Sequence, residues 1–114
     1  MENTTPLWLQ KLIDWSRENG FQVEESGPVY TIQGAVEGPY WLQANLELDP
    51  ETGEVFASWT LHHPMLSPAV EEGRCVMYEE DGLVVYEEVE IRSDDPEPYE
   101  EGMPIPYLPD PNRL

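Results

Sequence analysis

The fold is decided by residues 40–62, YWLQANLELDPETGEVFASWTLH, which contain two alternating apolar stretches separated by a turn sequence. Apolar side chains occupy every second position of residues 40–48 and again of residues 55–61. A period of two is typical of β-strands with one buried face. The segment DPETGE at 49–54 has the proline, glycine and acidic residues of a turn. We therefore predict an antiparallel hairpin.

The register of this hairpin follows from the sizes of the facing side chains. The favoured register pairs Leu48 with Val55, Leu46 with Ala57, Ala44 with Trp59, and Leu42 with Leu61. Large side chains then face small ones twice, which fills space without voids. A shift of one residue would turn every apolar side chain towards solvent. On the second face, Trp41 should lie opposite His62, and Phe56 opposite Glu47.

An N-terminal helix precedes the strands. We predict it over residues 5–19, with Thr5 as its N-cap, Pro6 in its first turn and Gly20 just past its end. Its apolar residues fall at helical spacings on one broad face: Trp8, Leu9, Leu12, Ile13 and Trp15. Strands are expected at 21–24 and 29–36, whereas residues 63–73 have no clear pattern and include a possible helical turn at 68–72.

A second hairpin is predicted from strands at 74–78 and 83–91. A four-residue loop at 79–82 pairs Tyr78 with Leu83 and Arg74 with Glu87. We prefer this loop to a two-residue Asp-Gly turn, because the shorter turn would place the apolar Val76 opposite Glu87.

These elements predict an α+β fold, in which the helix packs on a mostly antiparallel sheet of five or six strands. Residues 1–91 form the single domain, and residues 92–114 form a proline-rich acidic tail with an extended backbone. The apolar residues within 99–108 leave two alternatives, a mobile tail or a tail packed on the body or a partner. We favour packing over the second sheet face, on Trp41 and Phe56.

The charge of the chain excludes several function classes. Asp and Glu number 24 against five Lys and Arg, which gives a net charge of −19. Direct binding to nucleic acid or to an anionic membrane surface needs Lys and Arg, so neither is expected. No stretch reaches the ~20 apolar residues of a membrane span, and the N-terminus has no signal-peptide pattern, so we expect a cytoplasmic protein.

No motif in the sequence points to catalysis, a cofactor or a metal. Cys75, the single cysteine, lies in a predicted strand and is interpreted as a buried structural thiol. The adjacent His62 and His63 would point to opposite faces of a regular strand and would rarely share one ion there. They precede Pro64 at a strand end, where the geometry is looser, so a metal site is the less favoured alternative. We expect a protein that is not an enzyme.

The acidic residues are densest from residue 71 onward, where 14 acids face three arginines. Such a surface raises encounter rates with basic partners. We therefore expect binding to a basic protein surface. The most specific version is an inhibitor or nucleic-acid mimic of nucleic-acid-handling machinery, of phage type or immunity type, although a solvated acidic face without a ligand remains open. The expected partner-binding residues are Glu71, Glu72, Glu79, Glu80, Asp81, Glu87, Glu88, Glu90, Asp94, Asp95, Trp41 and Phe56.

The order of a helix followed by an antiparallel meander over about the first 62 residues is similar to small acidic chaperones of bacterial type III secretion. This resemblance implies an alternative function, in which the sheet face holds an extended segment of a partner. That family continues with a dimerising helix, whereas Pro64 and Pro68 flank a segment too short for one here.

Overall fold

A computed structural model describes residues 5–36, 38–65, 70–93, 104–105 and 107–114. In these residues one N-terminal α-helix, α1 (Leu7–Glu18), packs against a six-stranded antiparallel sheet, and a 3-10 turn spans Pro111–Arg113. The α+β prediction is confirmed. The strands lie side by side in chain order, and their bounds are β1 (Gln22–Ser26), β2 (Val29–Ala35), β3 (Trp41–Leu48), β4 (Val55–His62), β5 (Glu71–Glu80) and β6 (Leu83–Ser93). No described helix is long and apolar enough to cross a bilayer.

The β3–β4 hairpin has the predicted register. All four predicted inner pairs are present, from Leu48 with Val55 to Leu42 with Leu61, and all eight side chains are buried. The outer pairs, Trp41 with His62 and Glu47 with Phe56, are present as well. The alternation of residue types therefore assigned each side chain of this hairpin to its correct face.

Helix α1 begins later than expected, because its predicted cap serves another purpose. The Thr5 Oγ1 atom is hydrogen-bonded to the hydroxyl of Tyr30 at 2.9 Å, and Pro6 occupies the N-cap position without a side-chain cap. The C-terminal signal is correct. Gly20 has a φ of +90°, and the N–H of Phe21 donates to the carbonyl of Ser16 at 3.0 Å, as in a Schellman motif.

The second hairpin differs from the prediction at its turn. The turn is the two-residue Asp81-Gly82, whose φ values of +53° and +84° are those that a type I′ turn requires. Val76 consequently faces Glu87. Our comparison of facing pairs assumed an unbroken ladder, but a β-bulge at Glu88, with φ +52°, shifts the register so that Arg74 faces Glu90.

Strand β5 also begins earlier than expected, at Glu71, so residues 70–72 do not form the possible helical turn. The N–H of Val70 donates to the carbonyl of Leu61 at 2.8 Å, which extends the pairing with β4 up to the loop. Residues 68 and 69 of that possible turn lie outside the described part of the chain.

One helix cannot cover the sheet. Six strands span about 24 Å at their usual spacing, whereas a helix with its side chains is about 10–12 Å wide. The C-terminal segment adds to the cover, since Ile105 and Leu108 are buried in the same core cluster as α1. These residues pack on the inner face of the sheet, whereas we expected the tail on the outer face. Trp41 and Phe56 remain 39 % and 47 % exposed.

The C-terminal segment is also fixed to strand β6, which is an edge strand of the sheet. The N–H of Val84 donates to Oδ1 of Asn112 at 2.7 Å, and Nδ2 of Asn112 donates to the carbonyl of Val84 at 3.0 Å. The hydroxyl of Tyr86 donates to a carboxylate oxygen of Asp110 at 3.2 Å. These bonds hold the segment beside the core that Ile105 and Leu108 complete.

We expect Ile105→Ala to destabilise the protein by about 2–5 kcal/mol, because it opens a cavity in a closed core. The control is Leu114→Ala in the same segment, where the side chain is exposed. Urea unfolding followed by tryptophan fluorescence measures both. Equal midpoints for the two variants would show that the C-terminal segment does not contribute to the core.

Candidate functional site

The topology of the sheet collects acidic turns at one end. In an up-and-down meander, the β1–β2, β3–β4 and β5–β6 turns lie at the same end of the sheet. The second and third of these turns are acidic. Their exposed or half-buried carboxylates, which we call the acidic end, are Asp49, Glu51, Glu54, Glu79, Glu80 and Asp81.

No basic side chain neutralises the acidic end among the described residues. The ion pairs of the described residues use Arg17, Arg74 and Arg92, and none of them involves one of these six carboxylates. Asp49 makes only a local contact, in which its Oδ1 accepts the N–H of Glu51 at 2.9 Å. The six carboxylates therefore have no cationic partner among the described residues.

Tyr78 joins the acidic end to the outer face of the sheet. Its hydroxyl donates to Oε1 of Glu87 at 2.7 Å. This hydrogen bond, together with desolvation and the charges of Glu87, Glu80 and Glu54, raises the pKa of Tyr78 to about 12. Carboxylates from the β3–β4 turn, from the end of β5 and from β6 thus act on one phenol, so they lie close together despite their distance in sequence.

The outer face is the side of the sheet opposite α1. Phe56 of β4 and Val76 of β5 are direct partners there, and they line a groove of about 720 Å³ together with Val29, Glu47, Glu88 and Val89. Further along the same face Trp41 is exposed beside His62. The face therefore has an apolar centre that the described tail leaves open.

Two ion pairs join β5 and β6, one in the lining of this groove and one beside it. Arg74 is hydrogen-bonded to Glu90, which, together with the charge of that carboxylate, raises the pKa of the guanidinium. Nη2 of Arg92 lies 2.6 Å from a carboxylate oxygen of Glu72. Both pairs are well exposed, so each contributes little to stability. Their main effect is to cancel charge in this part of β5 and β6.

The structure separates the expected binding residues into distinct groups. Glu79, Glu80 and Asp81 belong to the acidic end, with Glu87 next to them through Tyr78. Glu88 lies at the bulge, and Glu72 and Glu90 are held by arginines. Trp41 and Phe56 lie on the outer face. Asp94 and Asp95 fall outside the described residues.

Glu71 does not belong to the acidic surface. It is only 2 % exposed, and its Oε2 accepts a hydrogen bond from Nε1 of Trp59 at 3.0 Å. The reason is its position in β5, where Glu71, Gly73 and Cys75 alternate on the inner face. Cys75 was expected to be buried, and every second residue of a strand shares the same face. Glu71, four residues before Cys75, is therefore expected on the buried face if the strand begins that early.

Sequence reasoning missed the β3–β4 turn as part of the site. Asp49, Glu51 and Glu54 were explained by turn chemistry alone, and each of them does lie in a connection between strands. Their contribution depends on the meander, because alternate turns meet at one end of the sheet. Only a prediction of the complete strand order would have placed the β3–β4 turn at the same end of the sheet as Glu79 and Glu80.

The candidate metal and nucleophile residues have other partners. Nε2 of His62 is hydrogen-bonded to Oγ1 of Thr60 at 2.9 Å, whereas Nδ1 of His63 accepts the N–H of Met65 at 3.0 Å. In the part of the chain that the structure describes, no three His, Cys, Asp or Glu side chains are grouped to hold a metal ion. Cys75 is buried, as expected, and burial raises the pKa of its thiol to about 11.

Comparison with protein-family models, with curated proteins and with solved structures finds no match for this chain. We therefore base the functional proposal on the charge, exposure and packing of its own residues.

We expect Cys75 to react with iodoacetamide at pH 8 at least 100-fold more slowly in the folded protein than in the protein unfolded by urea. Burial blocks access, and a pKa of about 11 leaves roughly a thousandth of the thiol as thiolate. Mass spectrometry measures the labelling, and equal rates in the two states would contradict the burial.

The folded-state pKa of Cys75 exceeds the ordinary value of 9.0. The stabilisation that the neutral buried thiol provides is therefore present below pH 9 and is lost as the pH rises towards 11.

Proposed function

We propose that this protein is a non-enzymatic interaction protein that binds a basic protein surface through its acidic end. The observation that carries the proposal is the convergence of two acidic turns on one end of the sheet, with no cation paired to them among the described residues. A net charge of −19 adds a field of the same sign around the whole chain. Such a field accelerates encounters with basic partners and repels acidic ones.

The sheet gives these charges a fixed spacing. The β3–β4 and β5–β6 turns are two strand intervals apart, or about 10 Å, and both are short connections between paired strands. A basic groove binds phosphates mainly through the charges of Lys and Arg, and carboxylates carry the same sign of charge as phosphates. The most specific form of the proposal is therefore an inhibitor that mimics nucleic acid against nucleic-acid-handling machinery.

We expect the triple substitution Glu79→Gln, Glu80→Gln and Asp81→Asn to slow association with the partner on the order of tenfold at low salt, because it removes three unpaired charges from the acidic end. The partner is obtained by capture from the native host at low and high salt. Biolayer interferometry against the purified partner then measures the association rate.

A second triple substitution serves as the matched control: Asp14→Asn, Glu18→Gln and Glu24→Gln. It removes the same number of charges from α1 and from β1. Poly-L-lysine serves as a reference that responds to net charge alone. If both triples slow the partner equally, as expected for poly-L-lysine, the acidic end has no special role and the proposal fails.

The exposed apolar centre of the outer face favours a second candidate function, the holding of an extended partner segment as in the secretion chaperones. After β4 the described chain enters β5 of the same sheet, so the order of elements then departs from that family. Under this second function, binding would be insensitive to salt and lost on Trp41→Ala. Loss of binding at 0.5 M NaCl with no effect of Trp41→Ala would exclude it.

A further inference from the structure

The groove on the outer face has an apolar floor that crosses several strands. The floor is formed by Val29 of β2, Phe56 of β4 and Val76 of β5. Only Glu47 of β3, between Val29 and Phe56, interrupts it. Val76 is buried and Val29 half-buried, whereas 47 % of Phe56 is exposed. An exposed aromatic side chain flanked by apolar groups is a common anchor of protein-binding surfaces.

The bulge in β6 builds one wall of the groove. Two residues, Glu88 and Val89, stand opposite the single residue Cys75, and Glu88 takes a φ of +52°. Both bulge residues line the groove, and Val89 is 44 % exposed. Bulges often redirect side chains next to binding sites. Here the bulge adds an apolar group and a carboxylate to the same wall.

The charges of the groove favour one class of occupant. Its lining includes Glu47, Glu88 and Glu90, and its single lining cation, Arg74, is already bound by Glu90. Glu47 of β3 and Glu88 of β6 therefore lie on either side of the apolar pair Phe56 and Val76. Glu87, which faces Val76 and is hydrogen-bonded to Tyr78, adds a further carboxylate between the groove and the acidic end.

We propose that this groove seats an apolar side chain of a basic protein segment, with a lysine or arginine on each side of it contacting Glu47 and Glu88. This inference rests on the proposed function and specifies the partner: a lysine- or arginine-rich segment with an aliphatic or aromatic residue at its centre. The acidic end then governs the rate of association, whereas contact with Phe56 governs the rate of dissociation.

The test uses three short peptides that separate charge from apolar contact. The first has a leucine flanked by lysines, the second replaces the leucine with serine, and the third keeps the leucine but replaces the lysines with glutamine. Each is titrated into the full-length ¹⁵N-labelled protein at low salt. We expect saturable shifts at the amides of Val29, Phe56, Val76 and Val89 with the first peptide, and about tenfold weaker binding with either of the others.

The matched variants are Phe56→Ala and Leu7→Ala. Both residues are exposed and apolar, but Phe56 lines the groove whereas Leu7 lies on α1, on the other side of the sheet. We expect Phe56→Ala to weaken binding of the leucine–lysine peptide about tenfold, through faster dissociation, and Leu7→Ala to leave it unchanged. Folding of both variants is checked by circular dichroism before the titrations.

The outcomes separate this inference from the proposed function. If the serine–lysine peptide binds as well as the leucine–lysine peptide and Phe56→Ala has no effect, the groove proposal is overturned while the acidic end remains a docking site. Shifts confined to the acidic end, or no saturable shift in the groove at millimolar peptide, overturn it in the same way. If the glutamine peptide binds as well as the lysine peptides, charge plays no part and the proposed function fails too.

Discussion

The packing of Trp59 between the two strands that flank it determines the register of the middle of the sheet. Trp59 faces Ala44 on β3 and Gly73 on β5. A Cβ atom added at Gly73 would lie 2.1 Å from Cζ2 of the indole, so only glycine leaves room for the ring. The indole N–H donates to the buried carboxylate of Glu71, which satisfies both groups away from water. Three strands are thereby held in one alignment, and the acidic end and the outer groove both depend on it.

Prediction from sequence succeeded where one physical rule dominated. The β3–β4 register follows from alternation and side-chain size, and the end of α1 follows from Gly20. It failed where two rules competed. Facing pairs favoured a four-residue turn in the second hairpin, but the backbone preference of Asp81-Gly82, with a bulge at Glu88, gave another register. The buried position of Glu71 was missed because charge was weighed before strand alternation.

The candidate surface could be predicted only in part, because it is produced by topology. Acidic turns and exposed aromatics are visible as residue types, but their neighbours depend on strand order and on which face the C-terminal segment covers. Ile105 and Leu108 show this point. Their apolar character indicated packing, yet the uncovered width of the inner face determined where they pack. The described part of the C-terminal segment leaves the outer face open, and the groove there is lined by residues from β2 to β6.

The side chain of Asn112 has a consequence for the association of this protein with itself. An edge strand offers backbone N–H and C=O groups to any other strand, which is a common route to aggregation. At Val84 both groups are occupied by one amide from the same chain, in the way that a neighbouring strand would occupy them. A strand from another molecule cannot pair there without displacing Asn112. The C-terminal segment thus blocks strand pairing between two molecules at the start of β6.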